Sequence, residues 1–264
     1  NYKVIVLSSA MSGMTNKLIN MSQKISSNFS DHEYDTLVSA GEQISCSLLA
    51  GQLLELGINA KSWMAWQIPI LTEGPHKYSR IKYVNKRKIL KYLKDGGVPI
   101  ISGFQGINKS SEITTIGRGG TDSSAIMFAK FFKADRCVIY TDVEGVYSTD
   151  PNKLKKAKKI KKISYEEMLE MASLGSKVMQ PHSIQDARLN RIDIEVKSSF
   201  SNKSGTLITK RKNIINNKII TGISSTENDA KVTLLGVKDR PGIAALIFRP
   251  LSQNSINVDM VVQN

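Results

Sequence analysis

The sequence predicts an α/β fold, a parallel-rich central sheet sandwiched by helices, followed by a second, smaller strand–helix–strand region. Three observations carry this. Short apolar runs of strand length (Val4–Leu7, Val98–Ile101, Cys137–Tyr140) alternate with longer segments of helical period, the order that places parallel strands beneath crossover helices. Those runs are almost continuously apolar, as strands covered on both faces are. Polar, turn-prone stretches at Ser198–Gly205 and Asn213–Lys218 then mark a boundary before the second region.

Val4–Leu7 opens the chain as a buried-type strand, and Ser8-Ser9-Ala10-Met11-Ser12-Gly13 turns it into a helical pattern over Thr15–Ile25. From Ser39 to Leu56 the residues Ile44, Leu48, Leu49, Leu53 and Leu56 recur at helical spacing, and Gly57 supplies the stop. Ala60–Met64 reads as extended. Lys86–Lys94 is a short basic helix closed by Gly96-Gly97, after which the strand Val98–Ile101 feeds Gly103-Phe104-Gln105-Gly106. Ala125–Phe132 is apolar nearly all round, the mark of a buried helix, and leads to the strand Cys137–Tyr140 ending at Thr141-Asp142. Ser164 and Glu167 have capping-box spacing and open a helix running to Gly175, and a helix (Ser183–Leu189) and a strand (Ile192–Val196) follow. Beyond the boundary, Lys231–Val237, Pro241–Gln253 and Ile256–Val262 read as strand, helix and strand, with Pro250 expected to bend or end the helix. The expected domains are residues 1–207 and 208–264, and both chain ends read as cut.

The 264 residues carry 37 Lys and Arg against 23 Asp and Glu, a formal charge of +14, and such a field attracts phosphates and other anions. Much of the excess sits in Lys82–Lys94 and Lys153–Lys162, with little aromatic interleaving and no zinc, homeodomain or RNA-binding signature, so a nucleic-acid partner is not expected. Two cysteines, Cys46 and Cys137, allow no disulfide framework or CxxC pair, and a reducing cytoplasm is the expected setting. No run approaches the roughly 18 apolar residues of a membrane span. His32, His76 and His182 share no ligand spacing, so no structural metal is expected. Neither a P-loop nor a dinucleotide fingerprint is present, so any ATP site must be of another kind.

The segment Thr114-Thr115-Ile116-Gly117-Arg118-Gly119-Gly120-Thr121-Asp122 joins glycines that admit close backbone approach to hydroxyls and a carboxylate at a helix start, a loop suited to anions. Arg118 is its only cation, and a guanidinium holds a carboxylate in two parallel bonds. Read alone, Gly119-Gly120 is equally a tight turn and Thr121 or Asp122 an N-cap. The cluster Thr141-Asp142-Val143-Glu144-Gly145-Val146-Tyr147-Ser148-Thr149-Asp150-Pro151 follows a strand, where open α/β sheets place ligands. A carboxylate there can organise Mg²⁺ around a triphosphate and Tyr147 can pack on a base, or the segment is a turn punctuated by Asp150 and Pro151. Glu42, in Ser39-Ala40-Gly41-Glu42-Gln43, can pair with a substrate ammonium or complement the helix dipole. Lys177 can reach a phosphate or stay solvated.

In order along the chain, SSAMSGMTN (Ser8–Asn16), SAGEQ (Ser39–Gln43), GFQG (Gly103–Gly106), TTIGRGGTD (Thr114–Asp122), YTDVEGVYSTDP (Tyr140–Pro151) and ISYEEMLEMASLGSKV (Ile163–Val178) resemble aspartate kinases. KVTLLGV (Lys231–Val237), DRPGIAA (Asp239–Ala245) and INVDMVVQN (Ile256–Asn264) resemble part of the first ACT module of that family, a ferredoxin-like regulatory fold. The resemblance covers essentially the whole chain. It implies ATP-dependent phosphorylation of the aspartate side chain to 4-phospho-L-aspartate, with Mg²⁺ on the nucleotide, as a step toward lysine, threonine and methionine. By the same resemblance Glu42 binds the ammonium, and Arg118, Gly119, Gly120 and Thr121 hold the substrate. Arg118, Asp122 and Asp142 serve catalysis, and Thr141, Asp142, Tyr147, Asp150, Lys177 and Val178 bind ATP. Asp239, Gly242, Ile243, Ala244, Asn257, Asp259 and Gln263 fall where a lysine or threonine effector would bind, and a homodimer through ACT modules is implied.

The sequence departs from the family in three places: no KFGG-type opening strand matches, only one ACT module is begun, and Asn152 stands where many relatives have arginine. Two other readings follow from the same residues. One is a catalytically impaired, amino-acid-binding regulatory fragment. The other is a kinase of the same fold for another acid, against which Glu42 argues when the amine is acetylated.

Overall fold

The computed structural model describes residues 2–117, 119–176, 178–211, 220–225, 232–234, 236–237, 240–254, 256 and 258. The chain divides into two compact units, Asn1–Thr226 and Glu227–Asn264. The first holds strands β1 (Val6–Ser8), β2 (Ala60–Trp63), β3 (Ile70–Glu73), β4 (Arg80–Val84), β5 (Val98–Ser102), β6 (Gln105–Ile107), β7 (Ile113–Thr115), β8 (Cys137–Thr141), β9 (Lys162–Ser164), β10 (Ile194–Ser198) and β11 (Thr206–Thr209). Its helices are α1 (Met14–Ile25), α2 (Asp31–Glu55), α3 (Arg87–Lys94), α4 (Gly120–Phe132), α5 (Tyr165–Ser173) and α6 (Pro181–Asn190).

Strand pairing is parallel-rich, as expected, but the strands hydrogen-bond as three sheets and not as one. Their orders are β1-β5-β2, β8-β10-β11-β9 and β4-β3-β6-β7. The first is wholly parallel. In the second, β8–β10 and β9–β11 are parallel and β10–β11 antiparallel. The third consists of two antiparallel pairs joined through the single parallel register pair Leu71↔Ile107. The division follows from where α4 lies. Ile126 and Ala129 belong to the core packed on β8, β10 and β11, whereas Phe128 belongs to the core around Trp63, Ile70 and Ile101. A helix apolar nearly all round can fill the space between sheets only by burying more than one face.

Local signals account for most of the helices. Ile89 and Leu93, four apart on α3, are its buried residues. Ser164 accepts from the Glu167 backbone N–H while the Glu167 side chain reaches back to the Ser164 N–H, which fixes the start of α5. Helix α2 begins at Asp31, upstream of the expected Ser39, with Asp31 and Glu33 complementing the dipole in its first turn.

The first unit extends past the expected limit at residue 207. Strand β11 spans that position, Ile223 donates its N–H to Ser148 O at 2.7 Å, and Thr221 Oγ1 donates to Glu167 Oε1 at 2.6 Å. In the second unit, helix α7 (Ile243–Gln253) carries Pro250 in its interior and continues through it. The strand expected over Lys231–Val237 is not found at its described residues 232–234 and 236–237. A strand needs a partner ladder, and Val232, Leu234 and Val237 are exposed. The strand expected over Ile256–Val262 lies mostly outside the described residues.

Candidate active site

Of the residues expected to hold the substrate, Glu42, Gly120 and Thr121 lie against the segments that leave the parallel strands β1 and β5 at their C-terminal ends, where open α/β sheets carry their ligands. Gly103, just beyond β5, donates its N–H to Ser8 O at the end of β1 at 3.0 Å. The loop after Ser8 leans on α2: the Ala10 N–H donates to Glu42 Oε1 at 3.2 Å, and Ser45 Oγ donates to Ser9 O. The Gly103–Gly106 segment meets the start of α4, with the Phe104 N–H donating to Ser124 Oγ at 3.1 Å. Gly103 is glycine because a Cβ there would lie 2.6 Å from Thr121 Cγ2 and 2.9 Å from Thr121 Oγ1. Gly119 precedes α4 in the left-handed region (φ 68), and a Cβ on it would meet Gln180 Cγ at 2.6 Å. Its carbonyl accepts from Ser183 Oγ at 3.2 Å, tying the loop to α6. Glu42, Gly119, Gly120 and Thr121 therefore face one corner of the first unit, and Arg118 lies outside the described residues.

Burial sets the electrostatics of this corner. Glu42 is 4% exposed, and its Oε2 has no hydrogen-bond partner among the described residues. Desolvation pushes its carboxyl up to about 7, offset in part by the Ala10 N–H. Burial likewise raises Asp122, in the first turn of α4, to about 6. Burial, with the Asp122 charge added, raises the Cys137 thiol to about 12, so the thiol is neutral at physiological pH. A buried carboxylate with a free lone pair is a ready partner for a cation that brings its own donors.

The expected nucleotide residues stand at the end of another sheet, and no hydrogen bond among the described residues joins them to this corner. Thr141 closes β8, paired in register with Ser198 of β10, and its Oγ1 donates to Asp142 Oδ1 at 3.1 Å. Asp142 is exposed there. Asp150 accepts from the Asn152 N–H at 2.8 Å through Oδ1 and from the Leu154 N–H through its carbonyl, a turn-forming role. Tyr147 pairs with Lys159 in a β-bridge and donates its hydroxyl to Glu144 Oε2 at 3.4 Å. Val178 is half-buried against the core of the β8–β10 sheet. Lys177 lies outside the described residues, as do Asp239, Asn257, Asp259 and Gln263. Gly242 caps α7 at φ 86, and Ile243 and Ala244 open it.

Two residues to which the sequence reading gave no role of their own shape the site. Asp35, wholly buried on α2, accepts from Thr115 N–H (3.0 Å), Thr115 Oγ1 (2.6 Å) and Lys77 N–H (3.0 Å), and it pairs with His76 Nδ1 at 2.8 Å. One carboxylate thus fixes the strand that leads into the Gly117–Gly120 loop. Its signal was the helical register: Asp35, Val38 and Glu42 share one face of α2 once the helix is extended upstream. The second is Gln105, fully buried, whose Nε2 donates to Ser39 O at 3.1 Å.

Residues 1–198 match the sequence model of the Amino acid kinase family. An aspartate kinase of Pseudomonas putida is 44% identical over 262 residues, covering 99% of this chain and 64% of that protein. The chain spans 64% of the length of such curated relatives. Among solved structures, an aspartate kinase from Synechocystis superposes with a TM-score of 0.68 at 36% identity, over 96% of this chain and 43% of that one. Aspartokinase III of E. coli, solved with aspartate and ADP, gives a TM-score of 0.76 at 24% identity over 99% of this chain and 70% of its own, a likeness of fold. By the match over residues 1–198 and by its architecture, this chain belongs to the amino acid kinase family.

Proposed function

We propose that the protein transfers the γ-phosphoryl group of ATP to the side-chain carboxylate of aspartate, giving 4-phospho-L-aspartate. The observation that carries the reading is Glu42, a buried carboxylate with one unpartnered oxygen beside the Ser8–Ala10 loop. Its relatives named aspartate kinase, at 44% identity, support the choice of acid. Glu42 pairs with the substrate ammonium and Arg118 with its α-carboxylate, while Gly119 and Gly120 let the backbone come close. Thr121 and Asp122, at the start of α4, lie between the acid and the phosphoryl group. The substrate side chain is then held for attack on phosphorus in line with the leaving ADP oxygen, a transfer that depends on positioning and charge stabilisation.

Thr141, Asp142, Tyr147, Asp150, Lys177 and Val178 form the nucleotide side. No group of three His, Cys, Asp or Glu side chains among the described residues converges on a metal position. A Mg²⁺ carried on the phosphates would be touched by Asp142, where it would neutralise phosphate charge. Asp239, Gly242, Ile243, Ala244, Asn257, Asp259 and Gln263 take an effector such as lysine or threonine, and pairing of two copies through the C-terminal region completes the regulatory arrangement.

The test is ADP release by the full-length protein with ATP, Mg²⁺ and aspartate, beside Arg118→Ala. Release that depends on aspartate, with a KM for aspartate raised at least about tenfold in the variant, is the expected result for loss of a bidentate charged contact. Release independent of aspartate, or untouched by the substitution, would overturn the proposal.

A further inference from the structure

Among the described residues, two acceptor atoms on elements joined by a hydrogen bond are buried without a partner of their own, Oε2 of Glu42 and Oε1 of Gln105. Gln105 lies in β6 with no exposed surface. Its Nε2 donates to the carbonyl of Ser39, on the turn of α2 that leads to Glu42. That bond directs the amide nitrogen to the helix backbone and leaves the amide oxygen with nothing to accept. Among the described residues two further buried polar atoms lack a partner, the donor Nε1 of Trp63 in β2 and Oγ of Ser201 in the segment after β10.

Buried side-chain acceptors almost always have a partner, and an orphan is costly. One orphan is on α2 and the other belongs to a side chain bonded to the same helix at Ser39, an arrangement that suits donors arriving with a ligand. An ammonium brings three donors and no acceptor, so it can satisfy a carboxylate oxygen and an amide oxygen together. A neutral second acceptor adds direction without a second buried charge. It also selects. An acylated amine has one N–H and would leave one of the two acceptors unpaired, and a site built for a donor rejects analogues that lack it.

We propose that Gln105 is a further substrate-selecting residue, whose Oε1 accepts from the substrate ammonium beside Glu42, so that the site takes a free α-amino dicarboxylic acid over amine-free or N-acylated counterparts. The inference rests on the reading above that the amine binds at Glu42.

The test uses the full-length protein and two space-filling variants, Gln105→Leu and Gln105→Met. The KM for aspartate, the KM for ATP and the inhibition constant of succinate, the same chain length without the amine, are measured for each. Removing one acceptor from a charged donor is expected to raise the aspartate KM about 10- to 100-fold, with the ATP KM and the succinate constant staying within about twofold, as for binding that never used the acceptor. The two unchanged constants also report an intact fold, and the methionine variant stands in should the leucine variant fold poorly. Aspartate and succinate weakening together would make Gln105 a shaping residue and overturn the proposal. So would no change in either, which would mean that water satisfies the amide oxygen. Wild-type protein that turns over no aspartate is a separate outcome: it sinks the functional reading, and this inference with it.

Discussion

Replacing Glu42 with Gln is expected to make the protein more stable and a poorer binder of its substrate. Burial raises the Glu42 carboxyl from 4.5 to about 7. One pH unit between folded and unfolded values corresponds to about 1.4 kcal/mol, so the ionised side chain costs the fold about 3 kcal/mol above neutral pH. The folded state holds this proton more tightly than the unfolded chain. The stability is therefore fully present below 4.5 and is lost as the pH rises through about 7. Glutamine carries no such cost, and its Oε1 can still accept the Ala10 N–H that Glu42 accepts at 3.2 Å. Urea unfolding of both proteins at two pH values measures the difference. Glu42→Gln should be more stable by about 3 kcal/mol at about pH 8, and the gap should fall below about 1 kcal/mol at about pH 5. Saturating aspartate should narrow the gap at the higher pH, because the ammonium repairs the wild-type site alone. A gap equal at both pH values, or a destabilised variant at the higher one, would refute the reasoning.

Deprotonation of Glu42 is also needed for pairing with an ammonium, so the KM for aspartate should rise as the pH falls below about 7; a flat profile in steady-state kinetics would count against the pairing. Asp35→Asn, which places an amide where one carboxylate accepts from Thr115, Lys77 and His76, should cost about 3–5 kcal/mol of stability. Thermal or urea unfolding measures that cost, and a loss under about 1 kcal/mol would contradict the buried network. Gly103→Ala drives a methyl to within 2.6 Å of Thr121 Cγ2, and displacement of the first turn of α4 should lower kcat/KM about 10²-fold. Ser164→Ala removes the cap of α5 at about 1 kcal/mol, with aspartate kinetics unchanged.

The elements that the sequence revealed are those whose signals are local. The helical spacing over Thr15–Ile25, the basic helix at Lys86–Lys94, the capping box at Ser164 and the run Cys137–Tyr140 reappear within a residue or two as α1, α3, α5 and β8. Strands β6, β7, β9 and β11 are three or four residues long. At that length an alternating pattern does not rise above background, and pairing decides them. Thr72 of β3 and Thr114 of β7 are buried and bonded to each other at 2.6 Å, a pairing that no local pattern marks. The division into three sheets depends on α4 packing in two directions, a tertiary fact with no local mark.

Within the site, the sequence left Gly119-Gly120 open between a ligand loop and a tight turn, and the structure places a left-handed Gly119 at the start of α4 and Gly103 against Thr121. That Gly103 abuts Thr121, and that Asp35 holds the strand entering the loop, required side chains far apart in sequence to meet. Asp35 and Glu42 were half visible. They are carboxylates in register with Val38 and Cys46 on one buried face of α2, and a charge on an apolar stripe asks for a partner. For Asp35 that partner set is within the protein, and one oxygen of Glu42 has none among the described residues. At the other end, Asp150 and Tyr147 are engaged in turn and bridge contacts, which sequence spacing alone left open against nucleotide binding.

The most direct test of the central claim is capture of the acyl phosphate product as a hydroxamate with hydroxylamine. The full-length protein is supplied with ATP, Mg²⁺ and, in turn, aspartate, glutamate and N-acetylglutamate. The prediction is aspartyl hydroxamate formed only with aspartate and ATP together and lost in Arg118→Ala. Hydroxamate from another acid in preference to aspartate, or ADP released without any acyl phosphate, would contradict it.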